Sequence, residues 1–243
     1  MTEPLYRADA YLETCEAVVL AVTPEGGVLL DRTVFYPTGG GQPGDAGALE
    51  FDGGVCPIAT AIKGARAGDI LHVPVEGAAP PPEGARVRAR IDAAARAGYR
   101  RVHTALHLLS VVIPLPVTGG QIGAEKGRLD FDMAEPPGDR EALEARLNAL
   151  IDADHPVTEE WIGEDELLAN PGLVKTMAVK PPMGEGRVRL IRIGAPGATI
   201  DLQPCGGTHV RSTAGIGRVT IGKIEKKGRQ NRRVTIHLAD AAP

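Results

Sequence analysis

The chain has 243 residues and a formal net charge of −4. That is enough for one large domain or two modest ones, and too acidic overall for a protein coated in basic residues for a polyanion. Three widely spaced cysteines, Cys15, Cys56 and Cys205, argue against a disulfide framework and for a reducing compartment. Met1 is followed by charged and polar residues rather than a leader, and no apolar run is long enough to cross a bilayer, so the expected location is cytoplasmic.

Residues 15–92 read as short strands broken by turn signals. "CEAVVLAVT", "GGVLLDRT", "GALEFDG", "DILHVPV" and "RVRARID" are β-rich with Gly and Pro between them, which suits a small antiparallel barrel. The run "EGAAPPPEGA" is too rich in Pro for a helix and reads as a loop into the last strand. From about Asp92 the character changes. "DAAARAGYRRVHTALHLLSVVI" carries good helix formers and apolar residues at Val102, Leu106, Leu109 and Ile113, which is helical spacing interrupted by Gly98. A second helix is expected in "GDREALEARLNALIDA", with Asp139 as its cap and Leu143, Leu147 and Leu150/Ile151 as its stripe. Strands follow at "PVTEEWI", "RVRLIRI" and "ATIDLQ", and then a hairpin of "GRVTIGKIEKK" and "RRVTIHLA" that turns at "GRQN". The second half lacks regular strand–helix alternation, so it is α+β, and two domains are expected.

Charge is segregated along the chain. Thirteen acids stand against Arg140 and Arg146 between Asp130 and Glu166, whereas the stretch from Cys205 to the end carries an excess of six positive charges. A solvated acidic face and a basic face for an anionic partner would produce this, as would an exposed hairpin with a charged tip.

Three constellations can carry chemistry. In "HTALH", His103 and His107 stand at i and i+4, which on a helix puts both imidazoles on one face, to share an ion or simply to line it. In "CGGTHV", Gly206 and Gly207 let Cys205 and His209 turn toward one spot. That pair alone suits a thiolate with its base, half of a metal site, or coincidence. Taken together, the two motifs make a Cys/His₃ set whose softness and number suit tetrahedral zinc, or a catalytic zinc if one ligand is loose. His72, His155 and His237 lack such partners and read as surface or strand residues. Third, "TGGGQPGDAG" formally contains G-x-G-x-x-G at Gly39, Gly41 and Gly44, but Pro43, Gly44 and Gly47 oppose the helix a dinucleotide site needs. It reads instead as an irregular turn with exposed amides, where Gln42 could face a ligand or close the loop.

"HTALHLL", followed at long range by "CGGTHV" and preceded by "GGGQPGD", resembles the editing half of alanyl-tRNA synthetases and the free-standing alanyl-tRNA editing proteins of the AlaX family. "TGGQIG", "RLDFDM", "IDLQPCGGTHV" and "KIEKKGRQNRRV" extend the resemblance over nearly the whole chain. It implies a small N-terminal barrel bearing the Gly-rich motif over residues 1–92 and an α+β editing domain over 93–243. The activity it implies is hydrolysis of the ester joining serine or glycine to alanine tRNA.

By the same resemblance His103, His107, Cys205 and His209 would bind Zn2+, with Thr104 and Gln121 lining the aminoacyl pocket beside the catalytic histidines. Gly40, Gly41, Gln42, Lys226, Lys227, Arg229, Arg232 and Arg233 are the expected substrate and tRNA contacts. The expected partner is the acceptor end of mischarged alanine tRNA, with no membrane, and the chain acting as a monomer. Four alternatives stay open at this point: zinc that organises the pocket rather than activating water, Cys205 as the nucleophile of a thiol hydrolase, a non-catalytic zinc module that binds tRNA, and editing of seryl-tRNA for threonine.

Overall fold

A computed structural model describes residues 1–175, 183 and 186–239. The chain divides into two compact units, Met1–Ala97 and Gly98–Pro243, and the fold class is α+β.

The first unit contains β1 (Glu3–Pro4), β2 (Thr14–Val22), β3 (Val28–Leu30), β4 (Arg32–Thr33), β5 (Gly47–Phe51), β6 (Gly54–Lys63), β7 (Ile70–Pro74) and β8 (Arg86–Ile91). Six of them close into an antiparallel barrel in the order β2-β3-β7-β6-β5-β8. Closure removes the unpaired edges an open sheet would expose. The alternation in "RVRARI" produces this directly, since Val87, Ala89 and Ile91 point inward while Arg86, Arg88 and Arg90 face solvent. β6 is missing from the expected strands, because Pro57 interrupts the signal. In the barrel Pro57 faces outward opposite Ala48, and Cys56 and Ile58 on either side of it are buried.

The Gly-rich stretch is a hairpin. Gly39 and Gln42 exchange two backbone hydrogen bonds of 3.0 Å each, and Gly40 and Gly41 between them have φ of +58° and +82°. Both central residues in the left-handed region make this a type I′ turn, which glycine alone enters without strain. No helix starts here, in keeping with the rejection of a dinucleotide motif. The loop's other end is held by Asp45, 1 % exposed, whose carboxylate takes the Arg96 guanidinium and the Tyr36 N–H. Arg96 also donates to the carbonyls of Ala10 and Val34, so the buried pair has its hydrogen bonds satisfied, the condition under which such a pair is tolerated.

The remaining elements are α1 (Ala93–Val112), β9 (Val117–Ile122), β10 (Lys126–Asp132), α2 (Arg140–Asp152), β11 (Val157–Gly163), α3 (Glu164–Ala169), β12 (Arg187–Ala195), β13 (Ala198–Pro204), β14 (Val219–Gly228) and β15 (Asn231–Leu238). They form a four-stranded sheet, β14-β15-β10-β9, and a three-stranded sheet, β11-β12-β13. Asp139 caps α2 by accepting from Ala142 N at 2.9 Å, and Leu143, Leu147 and Ile151 bury the expected stripe. α1 differs from a one-sided helix. Every residue from Val102 to Ser110 is buried, so its polar members Thr104, His103 and His107 must find partners inside the protein. Gly98 has a steric reason, since a Cβ there would lie 2.1 Å from the Ala124 carbonyl oxygen.

Candidate metal centre

α1 and the turn after β13 supply the site. His103 and His107 come from successive turns of α1, one above the other. Cys205 immediately follows β13, and His209 lies four residues on, across the Gly206–Gly207 turn. The four donors are buried and their ligating atoms all lie within 4.8 Å of one another. Cys205 Sγ is 3.4 Å from His103 Nε2 and 3.2 Å from His209 Nε2. A tetrahedral zinc shell, with metal–nitrogen distances of about 2.0–2.1 Å and a metal–sulfur distance of about 2.3 Å, has ligand–ligand edges of roughly 3.3–3.6 Å. The donor set and its spacing therefore fit one zinc ion.

Neighbouring groups orient His209, His107 and Cys205. Thr104 Oγ1 gives its proton to the Arg100 carbonyl (2.9 Å), so it can only accept from His209 Nδ1 at 3.1 Å, leaving His209 Nε2 for a metal. The same oxygen accepts from Val210 N. Asp201 Oδ2 lies 3.0 Å from His107 Nδ1 and aims that ring in the same sense. The Cys205 turn is clamped by Arg189 on β12, which donates to the carbonyls of Cys205 and Gly207 at 3.1 and 2.9 Å and whose own carbonyl accepts from Cys205 N. Gly207 N in turn donates to Cys205 Sγ at 3.4 Å.

Electrostatics favours the ligating form of the sulfur. Burial pushes the Cys205 thiol up, yet the interactions with the adjoining imidazoles, His103 foremost, outweigh it and hold the thiol well below the ordinary cysteine range. His209 is driven down to about 3 by burial, with the charge of His103 adding to it. Burial pulls His107 down as well, but its hydrogen bond to Asp201 and its contact with Cys205 raise it to about 9. Asp201 is pushed up by burial and brought down to about 2 by His107 and Lys175. A thiolate and a neutral His209 are the forms that bind metal.

Other expected site residues fall elsewhere. Thr104 is fully buried and both its proton and its lone pairs are taken, so in this structure it serves His209 and the α1 backbone. Gln121 is exposed on β9, opposite Arg128, whose Nε donates to its Oε1 at 3.2 Å. Gly40 and Gly41 form an exposed turn tip, but Gln42 is 0 % exposed. Its side chain is buried, unlike the turn tip beside it.

Of the basic hairpin, Lys226, Lys227 and Arg229 are exposed. Arg232 and Arg233 differ from these in their partners. Arg232 is 6 % exposed and donates to the carbonyls of Gly228, Asn231 and Ala134, and Arg233 makes a two-pronged pair with Asp130 at 2.8 and 2.9 Å. Arg232 is buried among these carbonyls, while Arg233 is partly exposed and neutralised by its pair with Asp130. The sequence reading missed Asp201, Gln203, Lys175 and Arg189. Strand periodicity could have found the first two, because Asp201 and Gln203 alternate along β13, are both buried, and lead at the same spacing to Cys205 just beyond the strand.

Two sequence families match the chain: tRNA synthetases class II (A) over residues 11–95, and the threonyl and alanyl tRNA synthetase second additional domain over residues 188–235. The alanyl-tRNA editing protein AlaX-M of Methanosarcina acetivorans is 36% identical over 249 residues, covering 99% of this chain and 100% of that protein. The protein of the same name from Methanosarcina mazei is 36% identical over 253 residues, 100% of this chain and 98% of its own. The alanine–tRNA ligase of Pyrobaculum neutrophilum is 36% identical over 233 residues, and there the match covers 93% of this chain but 25% of the ligase.

Proposed function

The chain belongs to the alanyl-tRNA editing protein family, and on that premise we propose that it deacylates mischarged alanine tRNA, hydrolysing the ester to serine or glycine with zinc held by His103, His107, Cys205 and His209. The observation that carries the proposal is the convergence of four buried donors from α1 and from a turn a hundred residues later. In this reading residues 1–92 are a barrel domain with a Gly-rich turn, and residues 93–243 are the zinc-containing editing domain.

An aminoacyl ester is already activated, so catalysis needs chiefly a positioned water and a stabilised oxyanion. Zinc held by all four residues would organise the pocket, and it would supply Lewis acidity toward the ester carbonyl where one of the four donors is loose. The chain's own groups do the rest. Thr104 and Asp201 fix the ring orientations of His209 and His107, and Arg189 holds the Cys205 turn in place. Gln121, with its Oε1 held by Arg128, keeps an amide nitrogen to donate to a substrate oxygen. A site that hydrogen-bonds the serine hydroxyl leaves polar groups unpaired when alanine enters, which is a physical basis for rejecting the correct ester. Lys226, Lys227 and Arg229, with the exposed amides of Gly40 and Gly41, are the proposed contacts to the tRNA.

The test compares turnover of seryl- and glycyl-tRNA for alanine, alanyl-tRNA for alanine, and seryl-tRNA for threonine by the zinc-loaded protein. The first two are expected to be hydrolysed and the others spared. Zinc-loaded protein that binds these tRNAs but turns none over would make it a binding module instead. Cys205→Ser with metal content measured addresses the thiol route, since retained zinc with loss of an acyl-enzyme would favour a cysteine nucleophile.

A further inference from the structure

Behind the donor cluster runs a chain of polar groups to which the reaction assigns no direct part. Asp201 is 2 % exposed and lies on β13, four residues before Cys205. Its Oδ2 faces His107 Nδ1 at 3.0 Å and accepts from Gln203 Nε2 at 2.7 Å, and its Oδ1 pairs with Lys175 Nζ. Lys175 is 30 % exposed at its side chain and stands 3.5 Å from Ser110 Oγ. The chain thus leads from a partly exposed ammonium, through a buried carboxylate, to the ring that carries a zinc-facing nitrogen.

A carboxylate this deep is costly unless paired, and each of its partners has a distinct consequence. The bond to His107 keeps the proton on Nδ1 and raises electron density at Nε2, which strengthens the ring as a metal ligand. The ammonium at the other oxygen draws charge the opposite way and adds a positive charge beside a dication. We propose that Asp201 is the positioning residue that makes His107 a strong zinc ligand, and that Lys175 is its counter-ion, tempering the affinity. This rests on the reading that the four donors hold zinc. It goes further in assigning opposite signs to two bonded neighbours, which a merely structural salt bridge would not have.

The test is zinc affinity of the full chain by competition with a chromophoric chelator, for the wild-type protein, Asp201→Asn and Lys175→Gln, together with the visible spectrum of each loaded with Co2+. Asp201→Asn keeps the volume and is expected to lower zinc affinity about 10- to 100-fold and alter the Co2+ bands. Lys175→Gln is expected to bind zinc more tightly than wild type, and affinity equal to wild type removes Lys175 from the proposal. Wild-type affinity in Asp201→Asn, or weakened zinc binding in Lys175→Gln, overturns the proposal and leaves the zinc site standing. A wild-type chain that takes up no zinc overturns both. Should Asp201→Asn fail to fold, Lys175→Gln decides alone, with affinity above wild type supporting the proposal and affinity at or below wild type overturning it.

Discussion

Thr104 and His209 meet through a hydroxyl with no proton left to give, because Thr104 Oγ1 donates to Arg100 O at 2.9 Å and accepts from His209 Nδ1 at 3.1 Å. Thr104 is thus a fixture of the metal ligand. Thr104→Val preserves shape but strands the His209 and Val210 N–H groups in the interior. Each such loss costs about 1–3 kcal/mol, and zinc affinity is expected to fall at least about tenfold. Thr104→Ser should behave as wild type. Chelator competition and urea unfolding check both. Loss of discrimination between seryl- and alanyl-tRNA, with zinc affinity intact, would instead place this side chain against the substrate.

Exposure separates two classes of base on the β14–β15 hairpin. Lys226, Lys227 and Arg229 face solvent, whereas Arg232 is buried among carbonyls and Arg233 is locked to Asp130. Charge reversal of the exposed three is expected to weaken tRNA binding and to flatten the slope of log affinity against log salt by about 2–3, since each phosphate contact contributes roughly 0.7–0.9. Their melting temperature should hardly move. Arg232→Ala is expected to do the reverse, lowering the unfolding midpoint while the salt slope stays. An unchanged slope in the triple variant would remove the hairpin from the tRNA interface.

Periodicity made much of this fold legible. The alternation of "RVRARI" marks β8, and the Leu143–Leu147–Ile151 stripe behind an Asp cap marks α2. Strands β6, β9 and β10 were not, because Pro57 and the "TGGQ" glycines of β9 hide the pattern that the barrel and sheet supply through pairing. The four donors were legible because a helix and a Gly-rich turn each impose a local spacing. Their orienting partners were not. Lys175 and Arg189 reach the site only through the pairing of β12 with β13 and the course of the chain, and nothing in sequence spacing reports on that. The basic tail shows the converse error, since a run of positive charge says nothing of which guanidinium the fold will bury.

His72 makes the barrel sensitive to acid. It is 0 % exposed on β7, with Nδ1 3.0 Å from Val28 O and Nε2 2.7 Å from Thr33 Oγ1. In the neutral ring Nδ1–H donates to the Val28 carbonyl, so Nε2 accepts from the Thr33 hydroxyl, whose oxygen accepts in turn from Phe35 N at 3.1 Å, and the neutral ring satisfies every partner. Burial lowers its pKa from 6.5 to about 4, against a smaller opposing effect of the Val28 bond. As pH falls below 6.5 the unfolded chain takes up a proton that the native ring refuses until about pH 4. The contribution is therefore complete above 6.5 and is lost between 6.5 and 4, amounting to about 3 kcal/mol from this residue. Urea unfolding at pH 7 and pH 4.5 should show the loss in the wild-type protein, and His72→Gln, less stable at pH 7, should show a shallower dependence. Identical pH profiles for the two proteins would mean that the acid sensitivity lies with other groups.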